Sequence, residues 1–269
     1  MRLGLIGCGS IGSTLARFLQ VEPGVAEIII WDRARTRARE LARTMDKVTY
    51  VPSFGAMLDE VEVVVEAASQ GALRSRGPAV LEAGCELVVM SVGALAEPAT
   101  LRALKRAARK GGSRFHVPSG AIAGLDGLKS AQVGNLRRVE LETRKPPRMF
   151  EGTEAWEGGA LARIRKPRTI FDGTAAEACR RFPQNVNVAA TLGLAGLGAE
   201  GTRVRIVADP EAERNTHIIT VEGDFGRMRV EVENRPSLRN PRTSHLAALA
   251  RLEQVLQEIR PLGGSTGAW

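Results

Sequence analysis

Residues 3–12 read LGLIGCGSIG, and this stretch decides the fold because an apolar run passes directly into a glycine-rich turn. Its glycines, Gly7, Gly9 and Gly12, have the G-x-G-x-x-G spacing of dinucleotide-binding loops. In such loops the first glycine makes the tight turn, the second lets the backbone approach a pyrophosphate, and the third lets a helix pack closely on a strand. An amphipathic stretch follows, so the segment predicts a strand, a phosphate-binding turn and a helix.

A second apolar run, Glu27–Trp31, ends at Asp32, twenty residues beyond Gly12. A carboxylate at this place accepts hydrogen bonds from the adenosine ribose, which is typical of NAD sites. Arg33, Arg35 and Arg37 follow, and guanidinium groups there either bind the 2′-phosphate of NADP or belong to a solvated basic helix face. We therefore predict NAD as the cofactor, with NADP tolerated. The residues predicted to bind it from this half of the chain are Gly7, Gly9, Ser10, Ile11, Gly12, Asp32, Arg33 and Ala68.

The hydrophobic pattern changes along the chain. Apolar runs recur at residues 61–65 and 87–90 with helix-like stretches between them, which indicates a parallel sheet covered on both faces. Residues 136–143 and 226–234 instead alternate apolar and polar side chains, as strands with one solvated face do. The predicted fold class is α/β: an N-terminal Rossmann domain with a doubly wound parallel sheet, plus a smaller α+β domain with a mixed or antiparallel sheet.

These patterns predict three parts of the chain. Residues 1–120 form the dinucleotide-binding domain, and residues 121–242 form a catalytic α+β domain that we also expect to mediate dimerisation. Residues 243–269 contain a last amphipathic helix, capped by Thr243 or Ser244, which we expect to pack back on the N-terminal domain.

The composition limits the classes of partner. The net formal charge of +8 invites a nucleic-acid hypothesis, yet aromatic residues make up only 4% of the chain and no nucleic-acid-binding motif accompanies the charge. The three cysteines are far apart and form no C-x-x-C pair, so we expect free thiols, a reducing cytoplasm and no metal site. No segment reaches the roughly 20 apolar residues of a membrane helix. We therefore expect small-molecule partners, without nucleic acid or membrane.

Five segments carry a resemblance to a known family. They read PSGAIAGLD at 118–126, TRKPP at 143–147, FPQNVNVA at 182–189, NTHI at 215–218 and NPRTS at 240–244. In their order and spacing the chain resembles the L-aspartate dehydrogenases, which convert L-aspartate and NAD(P)+ to iminosuccinate or oxaloacetate plus ammonia. The resemblance implies that His217 is the active-site acid/base, and that Ala121 and Asn187 hold the cofactor at its nicotinamide end.

The chemistry of an imidazole agrees with that role, because its ordinary pKa of about 6.5 suits proton exchange near neutral pH. His217 precedes a strand predicted at 218–222, and a surface histidine at a strand end is the alternative interpretation. A dicarboxylate substrate also needs cations. Arg242, Thr243 and Ser244 would combine a guanidinium with two hydroxyls and a helix N-terminus, so they are the predicted substrate-binding residues. Arg144 and Lys145 are further candidates, although any one of these cations could be solvated surface.

Two other functions remain open from the sequence. A reductase of the dihydrodipicolinate or homoserine dehydrogenase type shares the two-domain plan, and the fold alone does not decide the substrate. A non-catalytic NAD(H)-sensing protein would share the glycine-rich loop, but it would not need both His217 and Asn187 in their contexts. In each case a homodimer is expected, because closed two-fold dimers are the commonest assembly.

Overall fold

The computed structural model describes residues 1–182, 187–235 and 244–259. The chain divides into two compact units, each built around one sheet. The first unit comprises residues 1–94 and 98–118 together with the chain from Ala250 onwards, and the second comprises residues 95–97 and 119–249.

The sheet of the first unit has six strands, all parallel, in the order β3-β2-β1-β4-β5-β6. Its central strands are apolar and buried along nearly their whole length, as expected for strands covered on both faces. This order confirms the predicted doubly wound Rossmann sheet. The strands are β1 (Arg2–Ile6), β2 (Glu27–Trp31), β3 (Val48–Tyr50), β4 (Val63–Glu66), β5 (Glu86–Val89) and β6 (Phe115–His116).

Five helices connect these strands, and apolar side chains fix them to the two faces of the sheet. On one face Leu15 and Leu41 join Leu5 and Ile30 in a single buried cluster. On the other face Met57 packs over Gly4, where a Cβ would come within 3.3 Å of the methionine sulfur. The helices are α1 (Ser10–Leu19), α2 (Arg35–Arg43), α3 (Phe54–Leu58), α4 (Gln70–Glu82) and α5 (Pro98–Gly111).

The sheet of the second unit has five strands in the order β11-β10-β7-β9-β8. The β7–β9 pair is parallel and the other pairs are antiparallel, which confirms the predicted mixed sheet. Val139 and Leu141 lie on the buried inner face, while the alternate positions of β7 are charged. The strands are β7 (Leu136–Lys145), β8 (Arg168–Thr174), β9 (Arg203–Ala208), β10 (Asn215–Gly223) and β11 (Gly226–Asn234).

Short helices cover the inner face of this second sheet. Phe150, Ala178, Phe182 and Ala189 all line a small cavity over Leu141 and its neighbours. Thr174 begins one of these helices and forms a capping box with Glu177, in which each side chain accepts a hydrogen bond from the backbone N–H of the other residue. The helices are α6 (Leu125–Ala131), α7 (Ala175–Arg181), α8 (Asn187–Ala195) and α9 (Gly198–Gly201).

The last helix, α10 (His245–Ile259), joins the hydrophobic core of the first unit through its C-terminal half. Val255 is fully buried there, and Leu252 and Leu256 pack against the same cluster. Leu246 and Leu249, from the first turns of the predicted apolar stripe, are exposed. Within the described parts of the chain, no helix combines the length and apolar character needed to cross a membrane.

Candidate active site

The glycine-rich loop between β1 and α1 leaves room for a ligand at one position and is tightly packed at the other two. Gly7 has a φ of +98°, and a Cβ there would lie 2.8 Å from the carbonyl oxygen of Ala67. A Cβ at Gly12 would lie 1.9 Å from the carbonyl oxygen of Gly7, so only glycine lets the helix approach the turn. A Cβ at Gly9 would meet nothing within 4 Å. The loop therefore fits a bound pyrophosphate at Gly9.

Asp32 fixes the position of this loop. Its Oδ2 accepts a hydrogen bond of 2.7 Å from the backbone N–H of Cys8, and its Oδ1 accepts one of 2.8 Å from Ala34. The carboxylate thus ties the glycine-rich turn to the end of β2. Each oxygen keeps a further lone pair, so Asp32 can still accept a hydrogen bond from a ribose hydroxyl.

A cavity of about 590 Å³ lies at the carboxyl ends of β1, β2 and β4, the edge at which open α/β sheets bind ligands. The predicted residues Gly7, Gly9, Asp32, Arg33 and Ala68 line it. Ser10, Ile11 and Gly12 form the first turn of α1, directly after the loop. The lining also includes Arg37, one of the three arginines noted after Asp32. Four further lining residues were not selected from the sequence, namely Trp31, Ser69, Ser75 and Arg76. The spacing of Ser69, Ala72 and Arg76 along α4 is the signal that could have revealed this helix face.

Glu66 is a fully buried carboxylate at this edge of the sheet, and no role was predicted for it from the sequence. It accepts hydrogen bonds from the backbone N–H groups of Ala68, Ser69 and Ser91, and from the Ser91 hydroxyl. Burial raises the pKa of Glu66, while those hydrogen bonds oppose the rise. The residue fixes the turn after β4, from which Ala68 and Ser69 line the cavity. The nearby guanidinium of Arg251, on α10, is buried too.

His116 also holds α10 in place. Its Nε2 lies 2.7 Å from Glu86 on β5, and its Nδ1 lies 3.1 Å from Glu258 on α10. Because the two ring nitrogens face two different carboxylates, the imidazole bridges the helix and the sheet. His116 is therefore a structural residue of the first unit.

In the second unit, His217 is buried inside β10, with 2% of its surface exposed. It pairs with Thr143 of β7 across the antiparallel ladder, and His217 Nδ1 shares a hydrogen bond of 2.9 Å with Thr143 Oγ1. The strand begins at Asn215, so the predicted start at residue 218 is wrong by three residues. The interpretation as a surface histidine is wrong as well, because the side chain points to the inner face of the sheet.

Lys145 lies two residues beyond Thr143 on the same face of β7 and is 4% exposed. Burial lowers the pKa of Lys145 to about 8. Burial, together with the positive charge of Lys145, lowers the pKa of His217 to about 3. At neutral pH this site therefore combines a neutral imidazole, a hydroxyl that orients it and a cation. Such a set can attract a negatively charged substrate, whose charge would in turn raise the pKa of the imidazole.

Ala121 and Asn187 also belong to the second unit. The backbone oxygen of Ala121 accepts a hydrogen bond of 3.1 Å from Nδ2 of Asn234, which is buried at the end of β11. Asn234 pairs with Asn215 of β10, two residues before His217. These contacts bring Ala121 to the same end of the sheet as His217. Asn187 begins α8 and is half-buried.

Of the three predicted substrate-binding residues, Arg242 and Thr243 lie outside the described residues. Ser244 is buried, and its hydroxyl accepts a hydrogen bond of 3.1 Å from the backbone N–H of Ala247. It caps α10, as the sequence analysis predicted. Arg144 points to the outer face of the sheet, where it pairs with Glu142 and Asp209. Arg144 therefore does not lie beside His217, whereas Lys145 is on the face that carries it.

Two family models match the chain, one for each half. Residues 7–118 match the model described as the NAD-binding domain of homoserine dehydrogenase. Residues 126–258 match the model described as the C-terminal domain of aspartate dehydrogenase.

Relatives that match over nearly their whole length are L-aspartate dehydrogenases. The chain is 42% identical over 270 residues to an L-aspartate dehydrogenase of Methanosarcina barkeri, covering 97% of this chain and 98% of that protein. It is 36% identical to an L-aspartate dehydrogenase of Ralstonia pickettii, covering 100% of this chain and 98% of that protein.

Solved structures share the fold along the whole chain. A crystal structure of aspartate dehydrogenase from Thermotoga maritima superposes with a TM-score of 0.78 at 26% identity, covering 100% of this chain and 99% of that one. An archaeal homoserine dehydrogenase in complex with NADPH superposes with a TM-score of 0.57 at 12% identity, covering 95% and 96% of the two chains. The second likeness shows the fold alone.

Proposed function

The chain belongs to the L-aspartate dehydrogenase family and is an NAD(P)-dependent oxidoreductase, and we propose that it deaminates L-aspartate oxidatively and catalyses the reverse amination. The products of the forward reaction are iminosuccinate, or oxaloacetate plus ammonia after hydrolysis. The observation that carries this proposal is the buried, neutral His217, hydrogen-bonded to Thr143 on the same sheet face as Lys145.

In this proposal the first unit, formed mostly by residues 1–118, holds the cofactor. Gly7, Gly9, Asp32 and Ala68 hold its pyrophosphate and adenosine, and Ser10, Ile11 and Gly12 supply the helix N-terminus behind the phosphates. Ala121 and Asn187 hold the nicotinamide end. When bound, the nicotinamide accepts the hydride from Cα of the substrate.

His217 is the proposed acceptor of the proton that leaves the substrate nitrogen. Oxidising an amine to an imine removes a hydride from the carbon and a proton from the nitrogen, and a neutral imidazole can accept that proton. Hydrolysis of the imine also needs a base for the attacking water, and the same ring serves there. Thr143 orients the imidazole through Nδ1, and burial keeps the ring neutral. A pKa of about 3 makes this ring a weak base on its own, and the negative charge of a bound dicarboxylate would raise that pKa towards the range that suits a general base.

The two carboxylates of the substrate require cations near this base. Lys145 supplies positive charge on the inner face of the sheet. For Arg242 and Thr243 the proposal rests on their residue types and their position before α10. The hydroxyl of Ser244 accepts the capping hydrogen bond of that helix, and its own O–H remains able to donate to a carboxylate oxygen of the substrate.

The direct test mixes purified protein with L-aspartate and NAD+ or NADP+ and follows the absorbance of the reduced cofactor. We expect reduction with L-aspartate, and oxidation of the reduced cofactor with oxaloacetate plus ammonium. L-homoserine and dihydrodipicolinate are tested in separate reactions as alternative substrates. A protein that turned over either of these and ignored L-aspartate in both directions would contradict the proposal. Cofactor binding without turnover on any of them would indicate the NAD(H)-sensing alternative.

We also propose that the protein is a homodimer joined through the outer face of the second sheet. This face carries charges of both signs in close pairs, such as Arg138 with Glu140 at 2.7 Å and Arg205 with Glu142 at 3.0 Å. A two-fold axis would bring opposite charges of two copies together, and Ile218 supplies an apolar contact in the middle of the face. Sedimentation measurements should give twice the chain mass, and Ile218→Arg should shift the protein towards monomer.

The state of the cysteines supports a cytoplasmic location for the protein. Cys8, Cys85 and Cys179 are all free and buried. Free thiols are typical of a reducing compartment, and they support the cytoplasm as the site of action.

A further inference from the structure

The charged side chains that line the cavity of the first unit sum to a net positive charge next to Asp32, the residue expected to contact the adenosine ribose. Three guanidinium groups line it, from Arg33, Arg37 and Arg76, beside the single carboxylate of Asp32. In Rossmann sites that take NADP, arginines near this acidic position bind the 2′-phosphate. Arg33 and Arg37 follow β2, but Arg76 comes from α4, on the opposite side of β1 in the sheet order.

Arg76 is held in place by aromatic side chains. Its guanidinium carbon lies 5.1 Å from the ring centre of Trp31 and 5.0 Å from that of Phe54. The two rings pack edge to face at 5.5 Å. A guanidinium over aromatic faces keeps its N–H donors directed sideways, in its own plane. Trp31 directly precedes Asp32, and Arg76 and Asp32 line the same cavity, so one ligand in that cavity can contact both side chains.

Asp32 does not prevent a phosphate from binding here. Its two oxygens hold the loop through Cys8 and Ala34, so the carboxylate has a structural role that is independent of any ribose hydroxyl. A 2′-phosphate beside it needs compensating positive charge. Arg37 is close enough to act electrostatically on the Cys8 thiol together with Asp32, and Arg76 lines the same cavity from α4.

We propose that Arg76 is the residue that determines whether this site accepts NADP+, by donating charge-assisted hydrogen bonds to the 2′-phosphate together with Arg33 and Arg37. The inference rests on the proposed function in one respect, namely that this cavity holds the cofactor. It adds a specificity-determining residue on α4 that the sequence around the glycine-rich loop does not reveal.

The test is calorimetric binding to the protein without L-aspartate. NADP+ and NAD+ are titrated into the unmodified protein and into Arg76→Met, and adenosine 2′,5′-bisphosphate is compared with 5′-AMP. For both 2′-phosphorylated ligands we expect affinity to fall by about tenfold or more, and for both unphosphorylated ligands by less than about threefold. The control is Arg74→Met, since Arg74 is exposed on the same helix, bonds to Gln70 and lies outside the cavity lining; it should change none of the four affinities.

An equal loss for NAD+ and NADP+ in Arg76→Met would overturn the proposal, because Arg76 would then support the adenine or the fold. Unchanged affinities would overturn it too. Arg76→Lys retains the charge without the planar group, and it should bind NADP+ with an affinity between those of the unmodified protein and the methionine variant, even if the latter folds poorly. Because L-aspartate is absent, inactivity towards that substrate would refute the proposed function and leave these binding results interpretable.

Discussion

His217 on β10 and Thr143 on β7 face each other across an antiparallel ladder and share a hydrogen bond of 2.9 Å between Nδ1 and Oγ1. Both side chains are buried, and they are 74 residues apart in the chain. The pair fixes the orientation of the imidazole, so the proposed base is positioned by the register of two strands. A ring held through Nδ1 presents its other nitrogen, Nε2, for proton transfer.

Replacing the imidazole tests its proposed role directly. His217→Gln should lower kcat for L-aspartate by roughly 10²–10⁴-fold, the usual effect of losing a general base. Steady-state kinetics measures this loss, and calorimetric titration should show unchanged affinity for NAD+. His245→Gln is a matched control at an exposed histidine that begins α10. Full turnover by the His217 variant would remove this residue from the mechanism.

Thr143 should act as a positioning residue through His217. Thr143→Val keeps the shape of the side chain and removes the hydroxyl, so the ring loses its orienting partner. We expect kcat to fall by about fivefold with little change in KM, because such a hydrogen bond contributes on the order of 1 kcal/mol.

Thr143→Ser restores a hydroxyl and should recover most of the lost activity. If the serine variant were as impaired as the valine variant, packing at Thr143 would explain the loss, and the hydrogen bond would not.

The fold was predictable because its signals are local. The continuous apolar runs of the first half and the alternating apolar and polar residues of the second half can each be recognised within a few residues. The two sheets of the structure agree with these two patterns. The glycine-rich loop and Asp32 are separated by one helix, so their proximity also follows from the sequence.

The rest of the site depends on long-range geometry. Arg76 reaches the cavity because the sheet order places β4 beside β1. Thr143 contacts His217 because of the register between β7 and β10. Neither the strand order nor the register can be predicted from a short segment of sequence. The strand at His217 was predicted three residues short because Asn215, Thr216 and His217 are polar, yet they pair within the sheet.

Lys145 should influence the protonation of His217. Both groups favour their neutral forms when buried, and the Lys145 charge additionally disfavours the imidazolium. Lys145→Met removes that repulsion, so the pKa of His217 should rise from about 3 while staying below its ordinary value, because burial remains the larger cause.

NMR titration of the imidazole nitrogens measures this shift, and assignment is simple in a chain with three histidines. Lys145→Arg keeps the charge and should leave the titration near that of the unmodified protein. Superimposable curves for the methionine variant would show that the two groups are not coupled.

The same buried imidazole should make stability depend on pH. The unfolded chain protonates His217 near pH 6.5, whereas the folded protein does so only near 3, so the unfolded state binds more protons between those values. The free energy of unfolding should therefore be unaffected by this residue above about pH 6.5 and should fall as the pH decreases, by up to about 1.4 kcal/mol per pH unit. Urea unfolding between about pH 5 and 7 should show this slope reduced in His217→Gln; identical slopes would mean that the native imidazole titrates normally.

Substitutions at two glycines of the glycine-rich loop should distinguish an effect on stability from an effect on cofactor binding. Gly12→Ala would place a Cβ 1.9 Å from the Gly7 carbonyl oxygen, so the backbone must move and the melting temperature should fall by several degrees. At Gly9 a Cβ meets open space, so Gly9→Ala should keep the melting temperature of the unmodified protein. The new methyl group would instead occupy the approach of the pyrophosphate, and we expect NAD+ affinity to fall by about tenfold or more. Thermal unfolding and calorimetric titration of both variants measure the two effects. Gly55→Ala is the control for adding a methyl group elsewhere, because a Cβ at this position of α3 meets no close neighbour. Unchanged NAD+ affinity in Gly9→Ala would show that the pyrophosphate does not lie against this loop.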